Sequence, residues 1–299
     1  MKGINSRLLI IILTITFMYN CIVSCGDGQP GKKNMVLSET SGSEGVSEAS
    51  EESLADHALL VLPKNPGPGE PFRILATGAK NMHKAKILVS GPSGNLESIK
   101  SKTGEEIPYW RIDDFAGSAA GKYRVALVEG KDEVSNLEFV IAKEKETSSS
   151  GMVWKTIRGW DSGMETIYSV WINALFNGSD ENSSWTALHE VTQNKEQNFL
   201  YNYLSLGEDD PAGNFKVIMQ PDCADNPFFL RAYFAWKLGL PFGYHVCDRG
   251  GLGRNPKTGQ WVTNETSTSK SNKVSAFNLF LRKVMDGVHS GTARTALDN

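Results

Sequence analysis

Cys223 stands in the run Pro221-Asp222-Cys223-Ala224-Asp225-Asn226-Pro227, just ahead of an apolar stretch that Gly239-Leu240-Pro241 closes. Pro and Asp in front, with Gly then Pro behind, mark the two ends of a helix, so residues 228–238 are expected to be helical. Phe229, Leu230, Tyr233, Phe234, Trp236 and Leu238 cover nearly every side of that helix, and only Arg231 and Lys237 in it are charged. A helix that is apolar all round is buried. A thiol at its amino end meets unpaired backbone N–H groups and the positive end of the helix dipole, and both favour the thiolate. Cys223 is therefore a candidate nucleophile. A second reading uses the same residue differently, because two cysteines of an exported chain, here Cys223 and Cys247, commonly pair as a disulfide.

Export is read from the other end of the chain. Lys2 and Arg7 precede an apolar run over residues 8–18, which has the length of a signal-peptide core and is too short to span a bilayer comfortably. Ile22-Val23-Ser24-Cys25 follows and resembles the lipobox of bacterial lipoproteins, with a small residue before the cysteine; Cys21 fits less well because Asn20 precedes it. The resemblance implies cleavage after residue 24 and diacylglycerol on the Cys25 sulfur, with an acylated amino terminus that holds the protein on a membrane by more than one chain. The alternative is an ordinary cleaved signal peptide. Either way Cys21 is lost. If Cys25 is acylated, Cys223 and Cys247 are the only thiols left to account for.

The formal net charge of −3 becomes about −5 once Lys2 and Arg7 are removed, and so mildly acidic a chain argues against a nucleic-acid partner. Residues 25–57 are dominated by Ser, Glu and Gly, a composition that cannot offset the entropy of ordering, and they read as a disordered, extended tether. Over residues 58–142 the pattern turns to short strand-like runs at 72–77, 84–90, 109–112, 122–128 and 137–141, punctuated by Pro66-Gly67-Pro68-Gly69, Gly91-Pro92-Ser93-Gly94 and Glu129-Gly130-Lys131-Asp132. Tyr123, Val125 and Leu127 alternate with Arg124 and Ala126, as a strand with one buried face requires. Short strands at this spacing predict an all-β sandwich similar to the immunoglobulin-like domains of bacterial surface proteins.

Residues 143–150 read as a linker, and residues 151–299 turn helical. Ser162-Gly163-Met164-Glu165 has the form of a capping box, and Met164, Ile167, Tyr168, Trp171, Ile172, Leu175 and Phe176 recur at helical spacing until Asn177-Gly178. Residues 215–219 read as a short strand and residues 275–285 as a helix. His189 lies in a helical stretch and reads as a surface or packing residue, while His57 and His83 read as loop residues. No C-x-x-C or H-x-x-x-H spacing occurs, so neither a metal nor another cofactor is expected.

A cysteine after Asp, opening a buried helix in the second half of an exported chain, resembles the papain-like fold as used by transglutaminase-like proteins and NlpC-like cell-wall peptidases. The resemblance covers about half the chain and implies an α+β papain-like domain over residues 151–299, following the immunoglobulin-like sandwich in a multidomain chain. It implies Cys223 as nucleophile, a histidine from a following strand as base, and a third polar residue that orients the histidine. Two histidines follow the cysteine. His245 lies in Phe242-Gly243-Tyr244-His245-Val246-Cys247, which reads as a strand, and His289 lies in Gly287-Val288-His289-Ser290-Gly291; the family order favours His289. The third place falls to Asp298, although residues 293–299 hold no final strand and the domain is expected to be cut short there.

The function these features imply is a cell-envelope thiol hydrolase or acyltransferase, lipid-anchored and extracytoplasmic, passing through a thioester on Cys223. Peptidoglycan stem peptides are the substrate that location and resemblance suggest. The alternative is a non-catalytic surface lipoprotein that binds protein or glycan.

Overall fold

The computed structural model describes residues 57–78, 82–105, 107–142, 151–179 and 183–289. The leader with Cys25, most of the expected tether, the linker over residues 143–150 and Asp298 lie outside the described residues. Ten strands and four α-helices occur among the described residues, and the chain is β-rich. No described helix is long and apolar enough to cross a membrane.

The first half is two antiparallel four-stranded sheets. Its strands are β1 (His57–Leu62), β2 (Phe72–Gly78), β3 (Ala85–Gly91), β4 (Gly94–Leu96), β5 (Lys100–Thr103), β6 (Tyr109–Phe115), β7 (Gly121–Glu129) and β8 (Asp132–Ile141). One sheet has the order β1-β2-β6-β5 and the other β4-β3-β7-β8. They face each other across one apolar cluster that includes Ile74, Phe115, Ile87, Val125 and Leu127. The alternation in β7 resolves as expected, with Tyr123, Val125 and Leu127 inward and Arg124 exposed. Phe72 stacks on Phe115 and meets Phe139 edge-on, each with ring centroids 5.3 Å apart, contacts of about 0.5–1.5 kcal/mol beyond the area they bury. His57, read as a loop residue, instead opens β1 with its Nε2 3.2 Å from Glu129 Oε1. His83 lies in a single 3₁₀ turn, Met82–Lys84.

Strands β1 and β2 are apolar on both faces. Leu59 and Val61 point into the sandwich core, whereas the alternate residues Leu60 and Leu62, with Leu75 of β2, join a second cluster built by the helical half. That cluster is centred on aromatic side chains of α1 (Ser162–Leu175), α3 (Asn226–Leu238) and α4 (Lys273–Gly287); the remaining helix, α2 (Leu188–Thr192), adds Leu188 and Val191. Trp171 of α1 stacks on Tyr233 of α3 at 5.4 Å, and Trp236 stacks on Phe277 of α4 at 4.2 Å.

The start of α1 differs from the capping box. Its cap is Asp161, whose carboxylate accepts the Met164 N–H at 2.8 Å, one residue earlier than Ser162. Glu165 is drawn elsewhere, since it accepts two hydrogen bonds from the Arg231 guanidinium. That guanidinium lies over the Trp160 ring, 3.2 Å from its centroid, so the one arginine of α3 is sandwiched between an aromatic face and a carboxylate.

The one lysine of α3, Lys237, is wholly buried and donates to Glu208 Oε1 at 2.6 Å and Asp209 Oδ2 at 2.5 Å. The Tyr233 hydroxyl donates to Asp209, Asn198 donates to Tyr233, and Trp171 Nε1 donates to Asn198, closing a polar chain inside the core. Burial alone pushes the Glu208 carboxyl up, but Lys237 and the Leu204 N–H outweigh it and hold it low. Asp209 is held high by burial and by the neighbouring Glu208 charge, against the pull of Lys237.

Residues 215–219 form no strand. Their amides are taken singly: Val217 N–H by the Glu208 carbonyl, Ile218 N–H by Asn278 Oδ1, and Met219 N–H by His189 Nδ1. His189 is thus a packing residue that fastens an extended segment. The hairpin β9 (Gly243–Cys247) and β10 (Thr258–Thr263) completes the half, the one sheet among its described residues.

Candidate functional site around Cys223

Cys223 lies in an exposed turn, three residues before the first helical residue of α3. Asp222 makes the turn. Its carboxylate accepts the N–H groups of Ala224 at 2.8 Å and Asp225 at 3.2 Å, and its carbonyl accepts the Asn226 N–H at 3.1 Å. The helix cap is Asp225, followed by Pro227 in the first turn, and Gly239 in the left-handed conformation (φ 68°) ends the helix as the sequence suggests. The position of the cysteine therefore differs from the expectation. It precedes the helix rather than opening it, and the amides just after it are already occupied by Asp222.

The thiol is free, and so is that of Cys247, which is buried in β9 with its sulfur 3.7 Å from the His245 carbonyl oxygen. The disulfide reading is not realised. Among the described residues no three His, Cys, Asp or Glu side chains gather as metal ligands.

The two candidate bases are placed differently. His245 sits on β9 with its Nδ1 3.1 Å from the Gly259 carbonyl oxygen and its ring centroid 4.8 Å from that of Trp261. Trp261 can lie this close to the strand because residue 243 is glycine; a Cβ there would come within 2.3 Å of the indole. Tyr244 turns to the opposite face, against Phe280 of α4. The hairpin thus holds His245 by contacts of its own. His289 follows α4, where Gly287 packs on Tyr244 and Val246 and Val288 is buried. It is half-buried, and its charge reaches Asp225.

Asp225 is the residue that reading the sequence left without a role. It is only 1% exposed. Its Oδ2 accepts the Asp222 N–H at 3.4 Å, and its Oδ1 has no hydrogen-bond partner among the described residues. Burial and the Asp222 charge push this carboxyl up, while the Asp222 N–H, His289 and Arg249 pull it back. The corner thus gathers the exposed Cys223 thiol and, two residues on, a buried carboxylate under the influence of an imidazole and a guanidinium. The Asp222/Asp225 spacing before Asn226-Pro227 is visible in the sequence, but it reads there as helix-cap chemistry.

A separate cleft of about 380 Å³ lies between β1, β8 and the start of α1, lined by His57, Asn136, Asp161 and Ser162 among others. None of the candidate residues lines it.

No protein-family model matches the chain, and no curated protein does. Among solved structures, the crystal structure of the Lin-41 filamin domain is similar at 11% identity, covering 29% of this chain and 93% of that one with a TM-score of 0.23. A TM-score that low defines no common fold. The class to which the chain can be assigned is accordingly that of its own architecture, a β-rich protein with a helical half packed on one sheet.

Proposed function

We propose that the protein is a lipid-anchored thiol hydrolase or acyltransferase of a bacterial cell envelope, acting on amide bonds. In this reading Cys25 carries the lipid, the first half is an immunoglobulin-like sandwich that spaces the site from the membrane, and the second half is a papain-like domain of the transglutaminase-like or NlpC-like kind. The observation that carries the reading is the free, exposed Cys223 thiol beside a buried carboxylate on which the charge of His289 acts.

The chemistry follows from those groups. His289 takes the thiol proton, the Cys223 sulfur attacks an amide carbonyl, and the tetrahedral oxyanion collapses as His289 returns the proton to the leaving amine. The thioester left on Cys223 is then opened by water, or by an acceptor amine, whose proton His289 again removes. Peptidoglycan stem peptides are the proposed substrate, on grounds of location and resemblance. Isolated sacculi incubated with the wild-type protein are expected to release new amines and shortened peptides detectable by mass spectrometry, and Cys223→Ala is expected to release none. Equal release by both proteins would exclude the thiol chemistry.

A second reading, a surface lipoprotein that binds protein or glycan without cleaving it, is favoured by one observation. Asp222 occupies the Ala224 and Asp225 amides that would otherwise serve an oxyanion. On that reading the wild-type protein co-sediments with sacculi and leaves their composition unchanged.

A further inference from the structure

We infer that Asp225 is the positioning residue for His289, a carboxylate built into the nucleophile turn itself, and that its open Oδ1 is the acceptor for an imidazole N–H. The inference rests on the thiol reading above for its catalytic meaning. Its structural basis is independent of that reading.

An acceptor that is buried and unpaired is costly, and natural proteins leave few of them without a reason. Asp225 is such a case, 1% exposed with Oδ1 unpartnered among the described residues. Its backbone carbonyl already serves the helix by accepting the Phe229 N–H at 2.9 Å, and its side chain makes no cap hydrogen bond. The capping role that the sequence suggests therefore does not use this carboxylate. The charged groups acting on it are Asp222 from its own turn, Arg249 from the loop after β9, and His289 from the end of α4. Of these, only the imidazole can both take a proton from the Cys223 thiol and donate a second N–H to a carboxylate.

The proton balance is simple. The thiol proton moves to one ring nitrogen of His289, giving a thiolate and an imidazolium, and the N–H on the other ring nitrogen is held by Asp225 Oδ1. Asp225 remains ionised throughout and receives no proton. It fixes the ring and favours its charged form, the task that the sequence resemblance assigned to Asp298.

The test is the titration of His289, followed by NMR in the intact wild-type chain and in Asp225→Asn. Loss of the carboxylate is expected to lower the His289 pKa by about one unit and to shift the acidic limb of the pH–rate profile by the same amount, with kcat falling roughly 10²-fold or more and KM little changed. A folded Asp225→Asn protein with an unmoved His289 pKa would overturn the inference. The reverse variant supplies a second reading. In His289→Gln the Asp225 carboxyl, observed by ¹³C titration, is expected to move up, and an unmoved Asp225 would overturn the pairing equally. If wild-type protein releases nothing from sacculi while His289 still responds to Asp225, the thiol reading fails and the pairing stands. If Cys223-dependent release is seen while His289 ignores Asp225, the pairing alone falls.

Discussion

Asp225 and Lys237 are both charged residues inside the helical half, and they sit there on different terms. Lys237 has two carboxylates and leaves no donor idle, whereas Asp225 keeps an oxygen open in an apolar setting. The second arrangement is a stability cost with a pH signature. The folded state holds the Asp225 proton more tightly than the unfolded chain does, so stability is lost as pH rises from the ordinary carboxyl range through the raised folded value. Asp225→Asn removes that loss. Thermal unfolding followed by circular dichroism is expected to show a higher midpoint for the variant at neutral pH and no difference once the pH falls below the carboxyl range; a lower midpoint at neutral pH would mean that the carboxylate stabilises the fold. Cys223 was legible in the sequence because a thiol in front of a buried helix is chemically conspicuous. Asp225, two positions on, was not, since Asp before Asn-Pro looks like a cap and only the fold reveals that its oxygen faces no donor.

The helices show which local signals determine structure and which do not. The extent of α1 follows from apolar spacing, but its first residue is decided by competition: Glu165 is pulled to Arg231, and Asp161 takes the Met164 N–H. Asp161→Ala is therefore expected to cost about 1 kcal/mol in urea unfolding, and Ser162→Ala much less, the opposite of what a capping box at Ser162 requires. Helix α3 was legible as buried, yet the partners of its lysine were not, because Glu208 and Asp209 lie far away in sequence and in an irregular segment. Lys237→Met leaves these two carboxylates buried without a cation, and a loss of about 3–5 kcal/mol is expected as a drop in the urea midpoint. The misread strand at 215–219 has the same origin. An apolar run ordinarily means a sheet, but here Glu208, Asn278 and His189 supply the amide partners, all of them distant in sequence.

At the scale of the molecule, β1 and β2 belong to two cores at once. Their odd and even residues face the sandwich and the helices respectively, which is why both strands are nearly continuous in apolar residues. The turn signals between strands made the β-rich first half readable; the second face was hidden, because a run such as Leu59-Leu60-Val61-Leu62 does not say what covers its far side. Two halves that share strands are expected to unfold together. Calorimetry should give one transition, and Leu75→Ala, which opens a hole on the helical side, should lower it as a whole by about 2–5 kcal/mol; two separate transitions, with only one moved by the substitution, would show that the halves are independent.

The central claim is that Cys223 is an activated nucleophile, and its alkylation rate tests this most directly. Iodoacetamide labelling without reductant at about pH 6, where an ordinary thiol is almost wholly protonated, can be followed at Cys223 by mass spectrometry in the folded and the urea-unfolded chain. The account predicts labelling of the folded protein about tenfold faster or more, with the advantage lost in His289→Gln. A folded-state rate no greater than that of the unfolded chain, or a Cys223 recovered in disulfide linkage to Cys247, would contradict it.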